Sequence, residues 1–571
     1  MNTELIGITG IYLLTILLAI PLARYMARVY KGERTLLDAL APVERFLFRL
    51  CGIDPKREMN WKEHLKAMLT INMVWLVYAF LMLVSQGGLP LNPDGNTSQT
   101  PDLAFNTAIS FLVNCNLQHY SGESGLTYLT QLGVITFLQF VTAATGIAMA
   151  IVVFNALKNK SGEKLGNFWN IFLKTTTRIL LPLAFIVALI LAFNGTPASF
   201  EGKDTLVTLE GDTVQVSRGP AAGMIAIKQL GTNGGGWFGV NSSHPLENPN
   251  YLTNMVENIS ILLIPVALVF ALGFYLNRKK LAYTIFGVMT TGFLILLCVS
   301  VYSELQGNPA IAEMGISQQT GSMEGKEVRF GPAASALWGI STTATSNGSV
   351  NAMHDSMTPL SGMAQLFDMM INAFYGGVGV GFLNYYIFLI IAVFISGLMV
   401  GRTPEFMGRK VEAREMKIAS LIALLHPFLI LAGTALSGWT LVNHPDADWA
   451  VKPASWLNNP GYHGFSEMLY EFSSAAANNG SGYEGLGDNN IFWNVATGIV
   501  LILSRYLPII GPVAIAGLLT GKRMVPVSAG TLQTDTMTFG IMTFAVILII
   551  AALAFFPALV LGPLAEYFTL Y

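Results

Sequence analysis

Four three-residue runs hold the groups best suited to stripping an ion of its water: Asn114-Cys115-Asn116, Thr232-Asn233-Gly234, Ser346-Asn347-Gly348 and Asn478-Asn479-Gly480. Aligned, they form three layers. Asn116, Gly234, Gly348 and Gly480 make one, Cys115, Asn233, Asn347 and Asn479 the next, and Asn114, Thr232, Ser346 and Asn478 the third. Turning successive carbonyls toward one axis requires backbone conformations that glycine adopts freely and asparagine tolerates better than most residues. A ring of such oxygens can replace a cation's hydration shell. No carboxylate occupies these positions, whereas a divalent site would ordinarily carry an acidic ring. The chemistry implied is coordination of a monovalent cation. A single Asn-Gly would mean only a turn; four, each following a short semi-apolar stretch and preceding a long apolar run, mean more.

The elements that must position these loops lie in a chain of 571 residues, 53 % hydrophobic and 12 % charged. Runs long enough to cross a hydrocarbon core occur near 5–23, 67–86, 128–157, 179–194, 255–276, 281–302, 380–400, 418–441, 489–517 and 537–565. The expected fold is an all-α polytopic membrane protein of about ten transmembrane helices, a count set by segment length. Setting the first and last spans aside leaves four pairs. Each pair encloses a stretch too short to span: 104–113, 220–230, 332–345 and 465–477. These read as re-entrant half-helices, two of them opening on a proline that suits a first helical turn. Four potassium-channel-like helix–loop–helix repeats in one orientation imply a pseudo-fourfold pore along the membrane normal. Irregular backbone at that depth is tolerated only where it is buried or lines water, and the negative ends of four half-helices converging on one point favour a cation there.

The chain therefore reads as a single integral membrane domain, 1–571, in which 1–65 is the first span with a cytoplasmic segment. Repeats follow over 66–157, 178–277, 281–401 and 418–518, and 535–571 is the last span. Within the outer segments, Thr205–Leu209 and Lys326–Phe330 alternate like short hairpin strands.

Of 32 Lys and Arg residues, 25 fall in alternate inter-span segments. The excess marks the cytoplasmic side, which places both termini outside. The first apolar run lacks a basic leader and is followed by Arg24 and Arg28, so it reads as a retained span and not a signal peptide. Three scattered cysteines suggest neither a disulfide framework nor a zinc site. A net charge of −2 points to no nucleic-acid partner. Asn-x-Ser/Thr matches at Asn347 and Asn479 fall inside the repeated loops and are discounted as glycosylation signals.

Arg505 lies inside the ninth span, where a charge is costly. It reads as repelling or steering an ion beneath the loops or touching another subunit; pairing with a carboxylate or helix C-terminus is the structural alternative. Arg402 sits nearer an interface and reads as a snorkelling or cytoplasmic residue. His244, His354 and Asp355 flank the loops without a second metal ligand at useful spacing, so hydrogen bonding is the expected role. Glu123, Glu247, Asp355 and Glu471 are expected to hold loop backbone or enrich cations at the mouth. The chain has no Gly-x-x-x-x-Gly-Lys-[Ser/Thr] loop and no aspartyl-phosphate motif of the P-type pumps. A membrane potential supplies about 2.3 kcal/mol per charge at 100 mV, against about 1.4 kcal/mol per tenfold gradient, so passive uptake stalls at roughly 50-fold accumulation.

At the residue level the chain resembles the KdpA family. The matching stretches are Gln118-His-Tyr-Ser-Gly-Glu, Lys228-Gln-Leu-Gly-Thr-Asn-Gly-Gly-Gly with Asn241-Ser-Ser-His-Pro-Leu-Glu-Asn-Pro, Thr342 through Ser356, and Tyr470 through Ser481. The resemblance implies a fold like potassium channels and Trk/Ktr transporters. It implies K+ as the transported ion, with the twelve loop residues as its selectivity filter and Gln118 flanking it. It also implies an inner-membrane complex with a P-type ATPase subunit (KdpB), which carries ATP and Mg2+, and small KdpC and KdpF-like subunits, among membrane lipid. No catalytic chemistry and no bound cofactor are expected on this chain itself. Cys115, where the family pattern has Thr, and Asn347, where it has Cys, are departures. The family's inner gate maps to Gly376–Gly381, with Gly377, Gly379 and Gly381, and to Gly401-Arg402; glycine clusters there also suit a hinge or close packing. Two other readings are an autonomous channel or ion-coupled transporter, and a membrane enzyme built on His354, Asp355 and Glu247.

Overall fold

A computed structural model describes residues 3–159, 162, 164–399, 401, 403–525 and 533–571. Ten helices in it are long and apolar enough to cross a bilayer: Glu4–Lys31, Trp61–Gly88, Tyr128–Lys158, Phe168–Phe193, Tyr251–Leu276, Lys279–Glu313, Val380–Met399, Ala413–Asn443, Ile491–Thr520 and Met537–Leu570. Each coincides with an apolar run read from sequence. At 1.5 Å per residue, about 20 residues suffice for the hydrocarbon core, so most extend beyond it.

Burial sorts these helices into two shells. In the second span of each pair (from Tyr128, Tyr251, Val380 and Ile491), 61–89 % of the most apolar stretch is buried, against 22–50 % for the first spans. The second spans thus surround the centre and the first spans face outward. The terminal spans, at 28 % and 33 %, stand at the periphery.

Between the members of each pair a half-helix enters the centre: Pro101–Leu112, Ala221–Leu230, Gly331–Ala344 and Gly461–Ala477. Their residues are almost all buried, which accounts for sequences less apolar than a lipid-facing span yet poor in charge. Proline lies in the first turn of the first and third and caps the second and fourth, where its missing N–H costs nothing.

Two regions differ from the regular helices: the glycine-rich stretch of the third repeat and the outer segments in which hairpins are expected. The second span of the third repeat is split. A helix over Pro359–Ile371 stops at Asn372, and the chain runs irregularly to Gly379 before Val380–Met399 begins. Positive φ at Asn372, Tyr375, Gly376 and Gly379 holds the break open. Of the outer segments, the second does carry a hairpin, Asp204–Val207 paired antiparallel with Thr213–Val216. The third does not: Lys326–Phe330 makes one isolated bridge, Lys326 to Ala352. The Lys326 ammonium turns inward to Glu304 at 2.9 Å, both side chains fully buried, and this buried pair overrides the local alternation.

Candidate cation-binding site

Each half-helix ends directly before its loop, and the exit is built the same way four times. The N–H of the middle loop residue donates back five positions to the end of its half-helix: Cys115 to Ser110 O at 3.1 Å, Asn233 to Lys228 O at 2.8 Å, Asn347 to Thr342 O at 3.0 Å and Asn479 to Ser474 O at 2.9 Å. Asn114, Thr232, Ser346 and Asn478 before it, and Asn116, Gly234, Gly348 and Gly480 after it, all have positive φ, whereas the middle residue does not. That alternation turns successive peptide planes so that their carbonyls face one side. It is costly for side-chain-bearing residues and recurs in every loop.

The loops meet in cyclic order. A Cβ on Gly234 would overlap the carbonyl of Asn347; one on Gly348, that of Asn479; one on Gly480, that of Cys115. The fourth member, Asn116, donates from Nδ2 to the Gly234 carbonyl at 2.8 Å and rests its Cβ against Gly235. The ring closes with no room for a side chain at three of four positions. All twelve sequence-predicted residues are brought together in it.

Middle-layer side chains turn away from the axis. Asn347 donates to Lys228 O at 3.2 Å and Asn479 to Thr342 O at 2.7 Å, each gripping the preceding half-helix. Asn233 donates to Asn114 Oδ1 at 2.5 Å and to Gln139 O at 3.2 Å. Cys115 is buried and has no amide for this. Among the described residues no donor reaches the carbonyl oxygens of Cys115, Asn233, Asn347 or Asn479. Buried carbonyls ordinarily have partners, and four convergent ones are suited to a dehydrated cation.

Gln118 lies just beyond the first loop. Its amide accepts from Gly236 N at 2.7 Å and donates to Gly236 O at 3.2 Å, tying the first loop to the second. Glu247 accepts from Trp237 N at 3.1 Å, and Glu123 from Gly239 N at 2.7 Å, so both hold loop backbone as anticipated. Burial lifts the Glu123 carboxyl above its ordinary range. Glu471 instead reaches a side chain, His119 Nε2, at 3.1 Å. His244 stacks on Phe238 and accepts at Nδ1 from Leu246 N at 3.1 Å; burial, aided by Arg329, holds its pKa down at about 4.

The break in the third repeat lies against the half-helix side of the ring. Val378 N donates to Thr232 Oγ1 at 2.9 Å and Gly376 N to Ala344 O at 2.7 Å. Gly377 faces Thr345, Ser346 and Thr232, and Gly379 abuts the Gly146 carbonyl. Gly381 belongs to the first turn of the helix beyond the break, against Tyr375 and Gly376. Arg505 is 5 % exposed, its Nη2 has no partner among the described residues, and the guanidinium stands beside Gly146 and Val378. The carboxylate or helix-end partner considered for it is not found among those residues. Arg402 lies outside the described residues.

Sequence reading missed Lys228. The five-residue offset makes it the counterpart of Ser110, Thr342 and Ser474, two of which hold the next glycine: Thr342 Oγ1 accepts from Gly348 N at 2.8 Å and Ser474 Oγ from Gly480 N at 2.9 Å. Lys228 breaks the set. Fully buried, its ammonium pairs with Glu247 and donates to Asn241 Oδ1 at 2.6 Å and Ser242 Oγ at 2.9 Å. It clamps the outer segment 236–248 to the half-helix. Counting back from each loop would have exposed the exception.

The profile of the KdpA family, described as potassium-transporting ATPase A subunit, matches residues 9–568. A potassium-transporting ATPase potassium-binding subunit of Flavobacterium johnsoniae is 66 % identical, with all of both chains aligned. Proteins of the same description from Bacteroides thetaiotaomicron and Geobacillus kaustophilus are 63 % and 46 % identical, over 100 % and 98 % of both chains. Among solved structures, the potassium transporter TrkH from Vibrio parahaemolyticus aligns over 89 % of this chain and 97 % of its own, at 15 % identity and a TM-score of 0.49.

Proposed function

This chain belongs to the KdpA family of potassium-transporting ATPase A subunits, and on that premise we propose that it binds potassium from outside the cell in the four-loop ring and hands it by an internal route to an ATP-hydrolysing partner. The observation that carries this reading is the cyclic ring itself. Four loops alternate φ in the same sense, three glycines abut the neighbouring carbonyl, and four middle-layer carbonyls have no donor among the described residues. Carbonyls in number, without a carboxylate among them, suit a monovalent ion.

On the half-helix side of the ring, Val378 and Gly377 contact Thr232 and Ser346, and the Arg505 guanidinium stands by Gly146, against which Val378 and Gly379 also pack. A cation there repels one moving straight through, so an ion leaving the ring is turned aside toward the partner. The gate role extends to Gly377, Gly379 and Gly381; at Gly379 and Gly381 close backbone contacts leave no room for a side chain, whereas Gly377 faces the ring at ordinary contact distance.

ATP and Mg2+ act on a P-type subunit (KdpB), with KdpC and KdpF-like subunits completing an inner-membrane complex in which both termini of this chain lie outside. The chain contributes ion selection and no bond-making chemistry. The test is ATPase activity of the complex co-purified from native membranes, titrated with K+ and then Na+. Stimulation by K+ that Na+ does not reproduce is expected. Stimulation indifferent to the ion, or transport by the isolated chain in vesicles without ATP, would overturn the proposal.

A further inference from the structure

Away from the ring, three parts of the chain bring carboxylates around one imidazole. Asp355 follows the third loop, His463 and Glu467 occupy the first turns of the fourth half-helix, and Glu566 lies in the final helix. His463 Nε2 lies 2.9 Å from Asp355 Oδ1, and Nδ1 lies 2.9 Å from Glu566 Oε1. One ligand atom each from Asp355, His463 and Glu467 fall within 4.8 Å of one another.

Two independent features mark this group as more than an acidic cluster. Glu467 is fully buried, and its Oε2 has no hydrogen-bond partner among the described residues. Leaving such an oxygen unmatched is costly. Gly485 also lets the backbone pack against both carboxylates: a Cβ there would lie 2.6 Å from Asp355 Oδ2 and 2.9 Å from Glu467 Oε1, the two oxygens to which Asn459 Nδ2 donates at 3.4 and 3.1 Å. The other Glu467 oxygen is fixed by Asn459, whose N and Nδ2 both donate at 3.1 Å. No Lys or Arg among the described residues pairs with Asp355, Glu467 or Glu566, and His463 is the base that pairs with both Asp355 and Glu566.

We propose that Asp355, His463 and Glu467 form a divalent-metal site that takes Zn2+ or a related first-row ion. Imidazole with two carboxylates is a donor set for such ions and not for potassium. Zinc bonds of about 2.0–2.2 Å require ligand atoms roughly 3.3 Å apart; the three observed atoms lie within 4.8 Å of one another, and the Nε2–Oδ1 pair, at 2.9 Å, has to part slightly to admit the ion. Glu566 is placed as the outer carboxylate that accepts the Nδ1–H of a metal-bound histidine, fixing its tautomer and leaving Nε2 for the ion. With three protein ligands, the fourth position falls to water. His463 and Glu566 side chains are each 19 % exposed, which leaves a way in. The bound ion would staple the third and fourth repeats and the C-terminal helix together.

The experiment uses the full chain with its co-purifying subunits. After chelator treatment and removal of the chelator, Zn2+ is titrated, and bound metal and thermal unfolding are measured. One equivalent per chain is expected, with a raised melting temperature and at least tenfold weaker binding in Glu467→Gln and His463→Gln. Glu210→Gln, an exposed carboxyl in the turn of the outer hairpin, serves as a control that keeps the site. Gly485→Ala, whose methyl pushes against both carboxylates from the backbone, is expected to weaken binding too and covers the case that Glu467→Gln does not fold. Absence of stoichiometric Zn2+, Mn2+ or Co2+ binding, or binding unaltered by these substitutions, would overturn the site whether or not potassium stimulates the ATPase.

Discussion

Gln118 and Gly236 exchange two hydrogen bonds, N–H to Oε1 at 2.7 Å and Nε2 to carbonyl at 3.2 Å, so a residue just beyond the first loop fixes the backbone just beyond the second. Neutral hydrogen bonds contribute about 1 kcal/mol each. Gln118→Arg removes the acceptor and adds a cation at the ring's margin. Potassium affinity should fall by roughly tenfold or more, read as the K+ concentration for half-maximal ATPase. An unchanged value would refute the bridge's importance.

Gly234 combines positive φ with contact against the Asn347 carbonyl. Gly234→Ala should already displace the third loop, and Gly234→Asp should add a carboxylate to a ring that has none. Both are expected to erode K+ affinity and Na+ rejection, Asp more than Ala. Competition titrations with Na+ that match the unsubstituted chain would count against the ring.

Lys228→Met leaves Glu247 buried without its cation, a change that typically costs about 3–5 kcal/mol. Thermal unfolding in detergent should show a large drop, with K+ affinity reduced as the outer segment loosens. Pairing it with Glu247→Gln should recover part of both losses; a double variant no better than the single one would show that the ion pair is not the cause.

His244 gives a pH signature. Its folded pKa, about 4, lies below the ordinary 6.5, so the folded state favours the neutral ring whose Nδ1 accepts from Leu246 N. That contribution is fully present above about pH 6.5 and is lost as pH falls through 4. Arg329 faces the ring and works in the same direction. The stability difference between the unsubstituted chain and His244→Gln should therefore shrink from pH 7 to pH 4 in detergent melting curves. A difference that holds constant would contradict it.

What was legible beforehand was periodic or local. Span positions follow from runs of apolar residues that only a bilayer or a core accepts, and the half-helices from segments too short to cross. The loops showed because positive φ confines the choice to Gly, Asn and a few strained residues. Lys326–Phe330 misled because alternation is local, whereas the Lys326–Glu304 pair joins segments distant in sequence. The split at Asn372–Gly379 was hinted at by its glycines, but its position beneath Thr232 was not.

The chain's order of residues by itself determined a polytopic helical membrane protein with four equivalent loops poor in charge, because hydrophobic length and backbone tolerance are properties of short segments. Only the tertiary structure decided the cyclic sequence of loop contacts, the exceptional burial of Lys228, and the meeting of Asp355 with His463 and Glu467. Those relations join residues far apart in the chain, and the physical reason is that close packing and charge compensation are settled between elements, not within them.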